Sequence, residues 1–198
     1  MISPQELKNQ VDQLGKLIDE LEKESFLDPL TGLKNRNAYE KEIQDIFRQL
    51  REQGGVVMVL DVDGLKQVND NKELGGHMAG DLLLRKFAHY LIANTKAEDP
   101  KYRFGEKSDE FVTIFLGIPE ENIEKKIQSL IDTANKNKVG DPLAPVFSMG
   151  YVYVPKDTFL SYDDFFKVAD SAMYEAKKLK ESTISHVCRA PTPLPASA

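Results

Sequence analysis

The spacing of apolar residues at the start of the chain predicts a long amphipathic helix. Between residues 3 and 25 the apolar positions alternate in steps of four and three, like the a and d positions of a heptad repeat. These positions are Leu7, Val11, Leu14, Ile18 and Leu21. The pattern lasts for about three heptads. It leaves two interpretations open: a helix packed on its own domain, or a stalk that dimerises with a second copy.

From residue 26 onward, apolar strand-like runs alternate with amphipathic helical segments. Strands rich in β-branched and aromatic residues are predicted at 56–61, 111–117 and 146–154. Helices are predicted at 37–51, around 80–93, from 119 onward and at 161–180. The short run YRF and the run FVTIFLG flank a polar turn, which predicts a hairpin. This alternation indicates an α/β or α+β sandwich with helices on a central sheet.

Composition limits the classes of function. The chain has 198 residues, enough for one domain with appendages, and its net charge of −6 argues against a broad nucleic-acid surface. Small anionic ligands remain compatible with a few local lysines. The single cysteine, Cys188, cannot form an internal disulfide, so a reducing, cytoplasmic setting is expected. No apolar run approaches the ~18 residues of a membrane span, so no membrane segment is expected in this chain.

Acidic residues occur at the ends of two predicted strands. Asp61 and Asp63 end the first strand, and Asp109 and Glu110 precede the second. If these strands are neighbours, Asp61 and Asp109 converge, and converging carboxylates require a cation such as Mg²⁺, which binds oxygen ligands and leaves positions open for phosphates. Two such ions can align a hydroxyl with a leaving pyrophosphate. The alternative is that these residues are solvated acids at strand ends.

Five motifs in order resemble one family of enzymes. They are DPLTGLKNRNAYE (28–40), DVDGLKQVND (61–70), GHMAGD (76–81), SDEF (108–111) and ADSAMYEAKK (169–178). Together they resemble the GGDEF family, the catalytic domain of diguanylate cyclases, over residues 26–182.

The resemblance implies a fold and a reaction. The expected fold is a mixed, mainly antiparallel sheet wrapped by helices, similar to the palm of nucleotide polymerases and adenylate cyclases. Residues 1–25 would form the helical stalk, and the Pro/Ala-rich residues 183–198 a disordered tail. The implied activity is the Mg²⁺- or Mn²⁺-dependent condensation of two GTP into cyclic di-GMP, one GTP per subunit of a homodimer. An upstream sensor domain is compatible with this arrangement.

The resemblance also implies roles for individual residues at the reacting centre. Asp61, the carbonyl of Val62 and Asp109 are the expected metal ligands. Glu110 is expected to stabilise or deprotonate the 3′-hydroxyl.

Other matched positions are expected to bind the substrate. Asn69 and Asp81 correspond to the residues that read guanine, while Lys66 and Lys177 hold the triphosphate. Gly105 and Ser108 occupy the positions of the signature glycines, where the backbone approaches the nucleotide. The motif at 28–36 is expected to pack, with Asp28 pairing with Arg36.

The chain departs from the family pattern at four places. The signature contains two extra residues, Glu106 and Lys107, and the loop at 71–75 makes the guanine motif about three residues longer. Glu181 replaces an arginine that commonly binds the triphosphate. Lys96 and Asp99 match the product-inhibition motif only weakly, because lysine cannot form the bidentate fork of arginine.

Two functional hypotheses follow from the matches and the departures. The first is an active diguanylate cyclase. The second is a catalytically degenerate domain that binds GTP or dimerises as a regulatory module.

Overall fold

The computed structural model describes residues 3–105, 108–137, 140–179 and 185–193. Its helices and strands follow one another in this order: α1 (Pro4–Phe26), α2 (Arg36–Gln53), β1 (Gly55–Val62), α3 (Leu65–Asp70), a 3₁₀ turn (Lys72–Leu74), α4 (His77–Asn94), β2 (Lys101–Arg103), β3 (Glu110–Leu116), α5 (Glu120–Asn137), β4 (Phe147–Val154), α6 (Tyr162–Lys178) and β5 (His186–Arg189).

The strands form one mixed sheet in the order β2-β3-β1-β4-β5. Only the β4–β5 pair is parallel, and the other three pairs are antiparallel. The predicted hairpin is therefore confirmed, since β2 pairs with β3. The expected mixed, mainly antiparallel sheet flanked by helices is also confirmed.

Strand β1 lies at the centre of the sheet and is buried on both faces. Val56, Met58 and Leu60 contact the cluster formed with α4 and α5, whereas Val57 and Val59 contact the cluster formed with α2 and α6. Because successive side chains of a strand point to opposite faces, a continuous apolar run can supply both clusters. Helices therefore cover both faces of the sheet and hold β1 in place.

Helix α1 leaves its apolar stripe in solvent. The heptad residues Leu7, Val11, Leu14, Ile18 and Leu21 are all 55–59% exposed. The interpretation in which this helix packs on its own domain is therefore not supported by the structure. None of the helices in the described part of the chain combines the length and the hydropathy of a membrane-spanning segment.

The C-terminal segment differs from the sequence prediction. Residues 183–198 were expected to be disordered, yet His186–Arg189 form β5 against the edge of β4. Val187 packs against one core cluster, Cys188 packs against the other, and Ala190 N–H donates to the carbonyl of Tyr151. The short strand satisfies main-chain groups of β4 that would otherwise be unpaired at a sheet edge. Proline-rich flanking sequence obscured this signal.

Candidate active site at the acidic end of the sheet

The acidic ends of β1 and β3 lie side by side because these strands pair in antiparallel fashion. Asp61 lies opposite Glu110 in the strand register. The N–H of Val62 donates to the main-chain carbonyl of Asp109 at 3.0 Å. The structure thus places Asp61 and Asp109 at one end of the sheet, as the convergence of two neighbouring strands requires.

Asp61 is a buried carboxylic acid with a perturbed proton affinity. It is only 3% exposed. Burial is the largest cause that raises its pKa, the charges of Asp109 and Asp63 add to the increase and Lys177 opposes it, and the net result is a pKa of about 6. Three carboxyl groups therefore act on one another in a partly desolvated site, and each favours an arriving cation.

Lys177 supplies positive charge to this acidic end. It lies in the last turn of α6, and its Nζ is 2.6 Å from Oδ1 of Asp61. Burial lowers the pKa of Lys177, but the carboxylates of Asp61, Asp109 and Asp63 outweigh this effect and the net change is upward. Lys177 therefore stays cationic beside the carboxylates.

Asp63 is oriented by the neighbouring strand β4. The hydroxyl of the fully buried Ser148 donates to Oδ2 of Asp63 at 2.9 Å, and the N–H of Asp63 donates to the carbonyl of Val146. Ser148 lies opposite Asp61 in the register. One serine on β4 thus orients the second carboxylate of the DVD sequence.

The turn between β2 and β3 presents Asp109 and Glu110 to this site. Gly105 has a φ of +85°, which favours glycine. The N–H of Ser108 donates to the carbonyl of Gly105, and the hydroxyl of Ser108 accepts from the N–H of Glu110 at 3.0 Å. Ser108 therefore caps the start of β3. The two extra residues, Glu106 and Lys107, lie outside the described residues.

A buried ion pair anchors the signature turn. Nη1 of Arg103 lies 2.9 Å from both carboxylate oxygens of Asp28, and the two side chains are 2% and 3% exposed. Nε of Arg103 donates to the carbonyl of Ser108 at 3.1 Å. The predicted pairing of Asp28 with Arg36 is wrong, because Arg36 lies on the exposed face of α2 and pairs with Glu40.

The guanine-reading candidates lie on two packed helices. Asn69 is in α3, and Asp81 is an exposed residue of the first turns of α4. The side chain of Asn69 lies against the backbone of Gly80, the residue before Asp81. Lys66 is exposed on α3.

The longer loop before α4 is an ordered turn. Oδ1 of Asn71 accepts hydrogen bonds from the N–H groups of Glu73 and Leu74 at 3.0 and 3.2 Å. These bonds cap the 3₁₀ turn Lys72–Leu74. The extra residues are thus accommodated by a capped turn between α3 and α4.

The donor set suits a hard divalent cation. Asp61, Asp109 and the carbonyl of Val62 provide oxygen atoms, and Mg²⁺ commonly binds through one or two carboxylates with substrate phosphates completing its coordination. In the part of the chain that the structure describes, no group of three or more His, Cys, Asp or Glu side chains forms a protein-only metal cage. Burial, together with repulsion from Asp109 and Asp63, raises the pKa of Asp61, and a cation that offsets this negative charge therefore fits here.

The comparisons with known proteins identify the family. Residues 25–183 match the model described as "Diguanylate cyclase, GGDEF domain". This chain is a GGDEF domain protein. Diguanylate cyclase DgcS of Shewanella oneidensis is 28% identical over 163 residues, which are 80% of this chain and 51% of the relative. Probable diguanylate cyclase DgcJ of Escherichia coli is 30% identical over 185 residues, 89% of this chain and 34% of the relative.

Solved structures show the same fold. The coiled coil and GGDEF domain of DgcB from Caulobacter crescentus, in complex with c-di-GMP, has a TM-score of 0.77 and 22% identity, covering 92% of this chain and 95% of that chain. At this identity the match establishes the fold alone. This chain spans about half the length of DgcS and about a third of the length of DgcJ.

The residues that match the GGDEF product-inhibition motif stabilise the local fold. Asp99 is 5% exposed, and its carboxylate accepts hydrogen bonds from the N–H groups of Lys96 and Leu116 at 2.9 and 3.3 Å. Leu116 ends β3, whereas Glu110 begins it. Lys96 and Asp99 therefore lie at the opposite end of β3 from the acidic cluster, with the Asp99 carboxylate engaged by the backbone.

Sequence reasoning missed two supporting residues of the GGDEF site. Neither Arg103 nor Ser148 was selected as a site residue from the sequence. The signal for Arg103 in the sequence was a charged residue at the end of a three-residue strand, directly before the signature turn; its burial and its ion pair come from the structure. Ser148 is a polar residue inside a mostly apolar strand, and this break in the apolar pattern could have identified it as a residue with a polar partner.

Proposed function

We propose that this chain is a diguanylate cyclase that condenses two GTP into cyclic di-GMP and releases pyrophosphate. The observation that supports this most strongly is the juxtaposition of Asp61 with Asp109 beside Lys177. Acidic residues from two strands and a lysine from a helix form one site that can bind a metal–triphosphate. The family membership of the chain favours this chemistry over other phosphate chemistry.

Asp61, Asp109 and the carbonyl of Val62 are the proposed ligands of Mg²⁺ or Mn²⁺. When bound, the cation would lower the barrier to attack by the hydroxyl and neutralise charge on the phosphates. Lys177 and Lys66 are the proposed triphosphate contacts. Lys177 lies 2.6 Å from Asp61, so its ammonium is positioned at the edge of the proposed metal site.

Glu110 is the proposed group that orients or deprotonates the 3′-hydroxyl. It is exposed at the start of β3, directly opposite Asp61 in the register. A sugar hydroxyl is a weak nucleophile, and a carboxylate within hydrogen-bond reach assists the proton transfer. The capped turn formed by Ser108 fixes the main chain that precedes this carboxylate.

The proposed enzyme acts as a homodimer joined through α1. One chain contains one set of the proposed site residues, whereas the product contains two nucleotides. The exposed heptad stripe of α1 provides apolar surface that a second copy of the helix can bury. Light scattering should show weaker self-association when residues 1–25 are removed. Unchanged self-association would exclude α1 as the dimerisation element.

The alternative proposal is a degenerate GGDEF domain that binds GTP or dimerises without turnover. The longer loop at 71–75 and the side chain of Ser108 at a signature-glycine position favour it. A displacement of about 1 Å in Asp109 could cost ~100-fold in rate. The proposed setting for either function is the cytoplasm, with an upstream sensor as a compatible partner.

Turnover and binding measurements separate these proposals. The full chain is incubated with GTP and Mg²⁺ or Mn²⁺, and cyclic di-GMP is measured by mass spectrometry. We expect product from the wild type and none from Asp109→Ala. No product at high protein concentration, together with measurable GTP binding, would favour the regulatory module. Equal product from Asp109→Ala would remove Asp109 from the mechanism.

A further inference from the structure

Gly80 lies where a side chain would collide with Asn69. A Cβ atom built on Gly80 would overlap Oδ1 of Asn69 and lie 2.9 Å from its Cγ. It would also lie 3.2 Å from Cδ1 of Leu65, a contact that a small shift of the leucine relieves. The carboxamide of Asn69 therefore occupies the space that the missing Cβ leaves on α4.

The position of this glycine has no explanation in helix formation. Gly80 is buried within α4 and is the fourth residue of the helix, which starts at His77. Glycine weakens a helix interior relative to alanine, and this residue has no positive φ that would require glycine. Close packing against Asn69 is the reason that the structure provides.

We propose that Gly80 is a positioning residue for guanine selectivity. By lacking a side chain, Gly80 lets the carboxamide of Asn69 lie against α4 at the residue that precedes Asp81. This inference rests on the proposed function and on the expectation, taken from the family resemblance, that Asn69 and Asp81 read guanine. Gly80 itself touches no substrate and acts only through Asn69.

The chemistry of the base determines which nucleotides test this role. A carboxylate at Asp81 can accept from N1–H and the N2 amino group of guanine, and the carboxamide of Asn69 can pair with N2 and N3. Hypoxanthine keeps N1–H and N3 but lacks the N2 amino group. GDP and IDP therefore differ only in the group that the carboxamide helps to recognise, and neither has the triphosphate needed for condensation.

The experiment measures the affinities of GDP and IDP by isothermal titration calorimetry with Mg²⁺. The proteins are the full-length wild type, Gly80→Ala, Asn69→Ala and the double variant. We expect the preference for GDP to fall about fivefold in Gly80→Ala, the typical effect of losing one hydrogen bond. The double variant should match Asn69→Ala, because Gly80 has no effect once the carboxamide is gone.

Two controls separate positioning from general damage. Gly15→Ala places the same substitution in α1, where nothing lies within 4 Å, and should leave the preference unchanged. The side-chain amide signals of Asn69 in ¹⁵N-labelled protein should shift in Gly80→Ala without nucleotide. The melting temperature of Gly80→Ala should stay at or near that of the wild type.

The outcomes distinguish this inference from the proposed function. A wild type that prefers GDP, with a Gly80→Ala variant that keeps the full preference, would overturn the role of Gly80 alone. Unmoved Asn69 signals, or a further loss in the double variant, would also overturn it. A wild type with no preference for GDP would overturn guanine reading at this site and the role of Gly80 with it.

Discussion

Replacing Asp28 with alanine removes one half of the buried ion pair that holds the signature turn. The guanidinium of Arg103, 2% exposed, loses the carboxylate whose two oxygens lie 2.9 Å from Nη1. Breaking a buried pair from one side typically costs about 3–5 kcal/mol, because the remaining charge loses its carboxylate partner inside the protein. The N–H of Thr31 also loses its acceptor at 2.8 Å, which adds about 1 kcal/mol.

The expected total for Asp28→Ala is about 4–6 kcal/mol, set against a usual domain stability of about 5–15 kcal/mol. For a chain of this size, each kcal/mol lowers Tm by roughly 2–4 °C, so a fall of about 8–24 °C is expected. The assay is urea unfolding followed by far-ultraviolet circular dichroism. The proposed diguanylate cyclase activity should fall as well, because Arg103 also donates to the carbonyl of Ser108 in the signature turn.

Two further variants control this prediction. Arg36→Ala removes the arginine at the end of the 28–36 motif, and the ion pair between Arg36 and Glu40 is exposed. This substitution should lower the free energy of unfolding by less than about 1 kcal/mol. The double variant Asp28→Leu with Arg103→Met removes both charges and should recover part of the lost stability. A cost below about 1 kcal/mol for Asp28→Ala, or no recovery in the double variant, would refute the account of a buried and mutually dependent pair.

Three other changes test separate parts of the structure. The folded-state pKa of Asp61 is about 6, above its ordinary value of 3.8, so ionisation of this residue makes folding less favourable as pH rises from about 4 to 6. The stability of Asp61→Asn relative to the wild type should therefore increase across that range in metal-free buffer. A difference in Tm that stays constant with pH would contradict this. Gly150→Ala places a Cβ against the main chain of α6, 2.7 Å from the carbonyl carbon of Ala172. We therefore expect Tm to fall by about 10 °C or the protein to become insoluble. A melting curve identical to that of the wild type would exclude this close packing. Truncation after residue 184 removes β5 and should lower the urea midpoint and increase aggregation, because the edge of β4 is exposed; an unchanged midpoint would show that β5 adds nothing to stability.

Local pattern was enough to predict the main architecture and the family. The run VVMVLD had the composition of a central strand, and the structure buries every residue of β1. The heptad spacing predicted α1, and its exposed stripe follows from the absence of a facing surface in the monomer. Five short motifs in order identified a GGDEF domain because catalysis constrains residue type and spacing together.

The amino-acid sequence by itself determined the order of the main helices and strands through α6, the family and the set of acidic residues. Only the tertiary structure decided that Arg103 pairs with Asp28, that Ser148 orients Asp63, that Gly80 makes room for Asn69, and that residues 186–189 complete the sheet. The periodicity of apolar residues shows which face of a helix or strand is apolar, because this pattern involves only residues that are close together in the sequence. Ion pairs, buried hydroxyl contacts and close packing join residues that are distant in the chain, and their energy depends on burial that only the assembled fold provides.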